Sequence, residues 1–232
     1  MTDRNRVRPA RRRGLAEEVA DRIRDAIFSG AYAPGVQLRE TELSAALDVS
    51  RGPVREALVR LEREGLVRSA WHRGATVTEL TPDDVGELDS LRGALEQLAV
   101  REVLARAEEP DLAAVDDAVR AMETAATPHE MVACDIAFHD ALYAAAHHRR
   151  LAEAWQAIRE QVHLFLLTRV NRSSEGYLAH VPAEHRGLLA ALRAGDAETA
   201  LDLFADHRRH AFEVLSDEAP RISSARRGGP DR

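Results

Sequence analysis

The chain runs to 232 residues, 45% of them hydrophobic and 31% charged, with a formal net charge of −7. That length exceeds one compact domain of ordinary size and leaves room for two, while no apolar run approaches the roughly 18 residues that a membrane span needs. The first thirteen residues carry six arginines but no apolar stretch in signal-peptide position, and Cys134 is the only cysteine. An intrachain disulfide and a cysteine metal cluster are thereby excluded, and a cytoplasmic location is expected.

Charge is unevenly spread: residues 1–78 hold 15 arginines against 11 acidic residues, whereas residues 79–232 hold 17 against 28. The two parts therefore face different partners. Residues 1–13 lack apolar periodicity and read as a disordered basic arm. From there Leu15, Val19, Ile23 and Ile27 recur every four residues, one buried face of a helix that Gly30 stops. Pro34 and Gly35 make a turn, and Val36 to Leu38 form a short extended piece. Glu40 to Leu47 predict a short helix, Asp48 and Val49 a turn, and Ser50 the N-cap of a third helix with Pro53 in its first turn and Gly65 at its end. In that third helix Val54, Leu58 and Leu61 face a core, while Arg51 and Arg55, four apart, point outward together. Leu66 to Arg68 and Ala75 to Thr78 are β-prone, and Trp71 to Gly74 between them make a small hairpin or wing.

Beyond Thr78 the pattern turns purely helical, with Thr81 as N-cap, Pro82 as first helical residue, and Asp83 and Asp84 in the first turn. Leu88, Leu91, Leu95 and Leu98 mark the apolar stripe of a helix reaching about Ala107. Further helices are expected near 110–125, 128–147, 150–170, 183–194 and 196–216, separated by Pro110, Thr127-Pro128, a loop over 171–176, Pro182 and Gly195.

A short helix, a tight turn and a second helix with arginines at its start describe a helix-turn-helix, whose second helix offers its N-terminal residues to base edges in the major groove. Arg51 and Arg55 are the candidate readers, because a guanidinium donates bidentately to guanine O6 and N7. By spacing alone they equally form a solvated face paired with Glu40 or Glu62. The words Ile27-x-x-Gly30, Pro34-Gly35-x-x-Leu38, Glu42-Leu43-Ser44, Val49-Ser50-Arg51-x-Pro53-Val54-Arg55-Glu56-Ala57-Leu58, Leu61-Glu62-x-Glu64-Gly65-Leu66-Val67 and Arg73-Gly74-x-x-Val77 follow one another from Leu15 to Val77. On them the segment resembles the winged helix-turn-helix of the GntR family of bacterial regulators. The resemblance implies DNA contacts from Thr41, Arg51 and Arg55, with Arg73 and Gly74 at the wing tip entering the minor groove.

In the C-terminal part Asp135 and His139 lie four apart on one helix face, His185 shares a face with Leu188, Leu189 and Leu192, and His207 follows Leu203 and Phe204. All four are expected on inward-looking stripes, where polar groups need partners. Three imidazoles and a carboxylate suit a borderline divalent ion, zinc first, with nickel and manganese as further options and a position left open for an effector. Four separately hydrogen-bonded core residues satisfy the same pattern. His163, inside the apolar stretch Val162 to Leu167, is read as a non-ligand.

The marks Leu91-Arg92-x-x-Leu95-Glu96, Asp135-x-x-Phe138-His139-x-x-Leu142, Glu184-His185-x-x-Leu188, Ala194-Gly195-Asp196-x-x-x-Ala200 and His207 span roughly residues 83–212. They resemble the helical effector domain of FadR-type members of the same family, the FCD domain. That resemblance implies that Asp135, His139, His185 and His207 hold a divalent ion, often zinc. His148 departs from it, standing where many relatives carry an asparagine. Arg92 is a candidate partner for an effector carboxylate, which its planar fork suits, or for Glu96 in a structural salt bridge. Arg169 and Asn171, near a helix end, are candidate pocket-lining residues.

The expected architecture is mainly α: a basic arm (1–13), a winged helix-turn-helix with a small β wing (14–78), an all-α helical-bundle effector domain (79–218) and a disordered polar tail (219–232). The expected function is a homodimeric transcription regulator, a repressor by the resemblance, that reads a palindromic double-stranded DNA operator and answers a small organic acid at the metal. It is not expected to be an enzyme. A metal-dependent hydrolase and a metal sensor with no organic effector are the alternatives; the first lacks a His-Glu-x-x-His arrangement and leaves the DNA-reading unit unexplained.

Overall fold

The computed structural model describes residues 14–70, 74–172 and 177–216. The expected basic arm and tail, Trp71 and Arg73 lie outside them. The N-terminal unit comprises α1 (Leu15–Phe28), β1 (Gln37–Leu38), α2 (Glu40–Ala46), α3 (Arg51–Arg63), β2 (Val67–Ala70) and β3 (Gly74–Val77). The helical unit comprises α4 (Pro82–Arg106), α5 (Glu109–Thr124), α6 (Pro128–Ala145), α7 (Arg149–Arg172), α8 (Tyr177–Ala194) and α9 (Ala197–Ser216). The chain is thus mainly helical with a small sheet, as its periodicity predicts.

Val19, Ile23 and Ile27 of α1 pack on Val54, Leu58 and Leu61 of α3, on Leu38 and Val77 of the strands and on Leu66 just before β2. Leu15, the first residue of the expected stripe, is exposed at the helix start. The sheet is antiparallel in the order β1-β3-β2, with Leu38 opposite Ala75 and Arg68 opposite Thr76. Gly74 enters β3 with φ +80°, and a Cβ there would stand 2.7 Å from the Leu38 carbonyl oxygen. Backbone approaching backbone leaves nothing that can yield, so only glycine brings the wing down on β1. Ser50 holds the extended N-cap backbone of α3, but its hydroxyl makes no capping bond. Thr81 makes the full reciprocal box with Asp84, and Pro82 follows at N1.

Two expectations about the helical unit are corrected. The leucine stripe of α4 faces the bundle only in part: Leu88 is buried and Leu95 packs on the core, but Leu91 and Leu98 are 47% and 37% exposed, and the buried face runs through Val85, Leu88, Arg92, Glu96, Ala99, Val100 and Val103. Residue type misled here, because the inward face carries a charged pair that leaves those two leucines outside. Second, Pro182 does not open α8 but sits inside it, since the helix begins at Tyr177. The bond lost at its missing N–H is offset by burial of Val181 and by Leu178 packing on the core. α7 likewise runs on to Arg172, so Asn171 is helical rather than part of a loop. No helix among the described residues is long and apolar enough to cross a membrane.

Gly74→Ala combines a left-handed backbone with this close approach, and should destabilise the full chain by about 1 kcal/mol or more in urea unfolding. An unchanged midpoint would mean that the wing does not need the contact.

Candidate functional site

Two constellations stand out, one in each unit. At the N-terminal unit α2 and α3 meet through the Asp48–Val49 turn, where Asp48 takes φ +52°. Thr41 on α2 is exposed. Arg51 and Arg55 on α3 remain 58% and 64% exposed, although both pair with Glu40: Arg51 Nη2 donates to Oε2 at 3.1 Å, and Arg55 donates to both oxygens at 3.2 and 3.0 Å. Hydrogen bonds from Arg55, then the weaker hold of Arg51, keep the Glu40 carboxyl below the usual carboxylate range. Glu62, the other partner considered from the sequence, instead accepts from the Ser69 backbone and hydroxyl at 2.9 Å. One carboxylate thus aligns two guanidinium groups on the outer face of α3 without covering them.

In the helical unit α6 supplies Asp135 and His139, α8 His185 and α9 His207; one ligand atom from each lies within 4.8 Å of all the others. His139 and His185 are fully buried and Asp135 is nearly so. Zinc ligands in a tetrahedron with bonds near 2.0–2.1 Å sit about 3.3 Å apart, so modest closure brings this set to bonding distance. The hydrogen bonds fix the tautomers such an ion requires. His185 Nδ1 donates to the Val181 carbonyl at 2.9 Å, which leaves a lone pair on a buried Nε2 with no hydrogen-bond partner. His207 Nδ1 faces Glu184 Oε2 at 3.3 Å. Asp135 Oδ1 lies 3.3 Å from His139 Nε2, yet it too is buried without a hydrogen bond. A carboxylate oxygen and two imidazole lone pairs turned on one another in a dry space fit a cation, and the outer carbonyl and carboxylate on the imidazoles are what metal-ligating histidines use.

Arg92 and Glu96 of α4 join the cluster as a buried pair. Arg92 Nε donates to Glu96 Oε1 at 2.9 Å, and Nη2 donates to His139 Nε2 at 2.7 Å. The two roles weighed for Arg92 therefore coexist: it pairs with Glu96 and reaches the imidazole as well. Burial alone would raise the Glu96 and Asp135 carboxyls, but Arg92 and the imidazoles around them win and hold both below the usual range. Burial pushes the imidazoles the other way, His139 downward and His185 down to about 3, so both stand neutral as ligands must. Arg169 is buried on α7, whereas Asn171 is exposed and so stands outside the buried cluster. His163 stacks on Phe28 at 3.7 Å instead of joining the four. His148 acts as an asparagine would at this place, its Nδ1 accepting from the Leu151 backbone N–H at 3.1 Å.

Sequence reasoning missed the walls of this space. Trp155 stacks on Tyr143 at 4.7 Å, and the Tyr143 hydroxyl is buried without a hydrogen bond. Phe138 stands edge-on to both His139 and His185. Tyr143 falls four residues after His139, a spacing that would have found it; Glu184 was legible only as the neighbour of His185.

Comparison with known proteins shows the family of the chain and its fold. Residues 15–77 match the model described as bacterial regulatory proteins, gntR family, and residues 87–210 match the FCD domain. The chain is 32% identical over 196 residues to a probable D-xylose utilization operon transcriptional repressor of Paenarthrobacter nicotinovorans, covering 83% of this chain and 85% of that one. It is 29% identical to the gluconate operon transcriptional repressor of Bacillus licheniformis, over 79% and 77% of the two chains. Among solved structures it is similar in fold to Escherichia coli McbR/YncC, with a TM-score of 0.77, 24% identity and coverage of 89% and 99%.

Two outcomes follow from the cluster. His139→Ala should lower bound zinc by at least tenfold, measured by metal analysis after dialysis, and leave the N-terminal unit folded; full zinc retention would exclude His139 as a ligand. Because an unfolded histidine titrates near 6.5 while His185 and His163 are held down to about 3 and about 4, the unfolded chain takes up more protons between those values. Their contribution to stability is complete above pH 6.5 and drains away as pH falls. The chelated chain should melt lower at pH 5 than at pH 7.5, and His163→Phe should make that dependence shallower.

Proposed function

This chain belongs to the gntR family of bacterial regulatory proteins and joins that family's helix-turn-helix to an FCD domain, so it is a DNA-binding transcriptional regulator; from that premise we propose that a small carboxylate, held beside a divalent ion among α4, α6, α8 and α9, sets its affinity for DNA. The observation carrying the reading is that a buried guanidinium, Arg92, lies 2.7 Å from His139 within a set of metal-ligand side chains. The three charges set directly against His139, those of Arg92, Glu96 and Asp135, sum to one negative; a divalent ion turns that local sum to one positive, which a carboxylate neutralises. An ion held by Asp135, His139, His185 and His207 would supply a Lewis-acidic position for one carboxylate oxygen, zinc suiting the ligands best and nickel or manganese also fitting them. Arg92 turns from His139 to the carboxylate, Glu96 holds its other edge, and the Trp155–Tyr143 stack and Phe138 exclude water. Arg169 and Asn171 are proposed to line the approach.

At the DNA, Arg51 and Arg55 read guanine edges, Thr41 meets a phosphate, and Arg73 and Gly74 carry the wing into the minor groove. Leu91 and Leu98, seven residues apart on α4 and both exposed, support a homodimer whose paired α3 helices read a palindromic operator. Repression is the favoured direction, since the two relatives above are named as repressors. The hydrolase alternative falls, because the family and those relatives are regulators. A metal sensor with no organic effector is the second reading, and what favours it is that Arg92 already occupies the lone pair of His139, which an ion alone would displace.

A duplex selected from a random pool by the full chain, titrated by fluorescence anisotropy at fixed salt against small carboxylic acids with and without chelator, tests the proposal. Release by one acid only when metal is present supports it. Release by metal alone favours the sensor, and no selection of any duplex sinks both. Arg55→Ala should cut discrimination at one base position by about 5- to 150-fold, the equivalent of about 1–3 kcal/mol; unchanged discrimination would displace Arg55 as a reader.

A further inference from the structure

Asp140 follows His139 on α6 but belongs to a different network. Its carboxylate receives Trp155 Nε1 at 2.7 Å and Arg159 of α7 through Nε and Nη2 at 2.7–2.9 Å. Arg159 Nη1 continues to Glu160 at 2.9 Å, and Glu160 Oε1 lies 4.0 Å from Arg24 Nε on α1. Arg24 in turn donates to Glu64 Oε2 at 2.6 and 3.2 Å. Glu64 is the C-cap of α3, the helix that bears Arg51 and Arg55 at its other end. Charge alternates at every step from the helix of His139 to the helix of Arg55, on side chains only 15–33% exposed, where salt screens little.

The surroundings make this a rigid seam. One turn of α7 docks on the N-terminal unit: His163 stacks on Phe28, and Leu164 is buried in the core of that unit. Gln161 fills the space over Gly65, where φ is +76° and a Cβ would stand 2.7 Å from its amide carbon. Val162 and Phe165, on the same turn, line a narrow cleft with Arg92. The step from Glu160 to Arg24 is the loosest in the chain, and Glu160 Oε2 is buried with no hydrogen-bond partner among the described residues. A small displacement of α7 can therefore close or open that step, while packed interiors pass the displacement on without absorbing it.

We propose that Glu160 is a positioning residue for the DNA-reading helix, coupling the helix of His139 to α3 through Arg159, Arg24 and Glu64. The inference rests on the metal-dependent reading above. Val162 and Phe165 bring the state of the Arg92 cleft to α7, and Glu160 and Arg24 carry it across the seam.

The test measures the affinity of the full chain for its selected duplex with zinc and with chelator, in the wild type, Glu160→Gln, Arg24→Gln and the double variant. Zinc affinity and melting temperature of each variant are recorded alongside. The wild-type ratio should be about fivefold or more. Each single variant should bring it to within twofold of one with zinc affinity unchanged, and the double variant should fall no further. A Glu160→Gln chain that keeps the wild-type ratio overturns the proposal, whereas a wild-type ratio of one with zinc bound overturns the metal-dependent reading and this coupling with it. Hydrogen exchange over residues 60–66 of the wild type answers without any variant: zinc should change protection there, and unchanged protection would overturn the coupling.

Discussion

Arg92 is the interaction on which the helical unit depends. A guanidinium 3% exposed inside a bundle loses several kcal/mol of hydration, which only close partners offset. Glu96 on the same helix and His139 across from it are those partners. Their demand fixes the rotation of α4: the polar pair turns inward, and Leu91 and Leu98 turn out to solvent. It also explains why the walls are aromatic. Trp155, Tyr143 and Phe138 exclude water from the charges, which strengthens every electrostatic interaction among them.

The N-terminal unit solves a smaller version of the same problem. Arg51 and Arg55 share one acceptor, Glu40, at the start of α2 and remain mostly exposed. Such a pair contributes little stability but restricts where two long side chains point. The two units are joined by more than the chain between β3 and α4, because Phe28, Leu164 and Gln161 pack across the seam. The helical unit thus touches the N-terminal unit through packed groups and not only through the connecting chain.

Much of this was legible in the sequence, and for physical reasons. Four-residue spacing in α1, the Thr81-Pro82 start of α4 and the Asp135/His139 pair on α6 are local signals, and each lies where its spacing puts it. The four candidate ligand side chains come from three helices and converge, and each was legible as a polar residue on an apolar stripe. What failed was the assumption that every leucine marks the buried face: Leu88 and Leu95 of α4 do, but Arg92 and Glu96 turn inward where Leu91 and Leu98 turn out. Pro182 misled for a related reason, since burial of Val181 and Leu178 outweighs one lost hydrogen bond. Ser50 showed that a cap residue can hold the right backbone and make no capping bond. The seam was not legible at all, for Arg24, Glu64 and Glu160 are ordinary surface types whose meeting depends on tertiary packing alone.

Asp135, His139, His185 and His207 are proposed to form one metal centre beside Arg92. X-ray absorption at the zinc edge of the zinc-loaded full chain tests it most directly. One zinc per chain is expected, with three imidazole nitrogens and one carboxylate oxygen at about 2.0–2.1 Å and room for one further oxygen when an acid is added. An oxygen-only shell, or fewer than two imidazoles, would contradict it and leave the four residues as a hydrogen-bonded core.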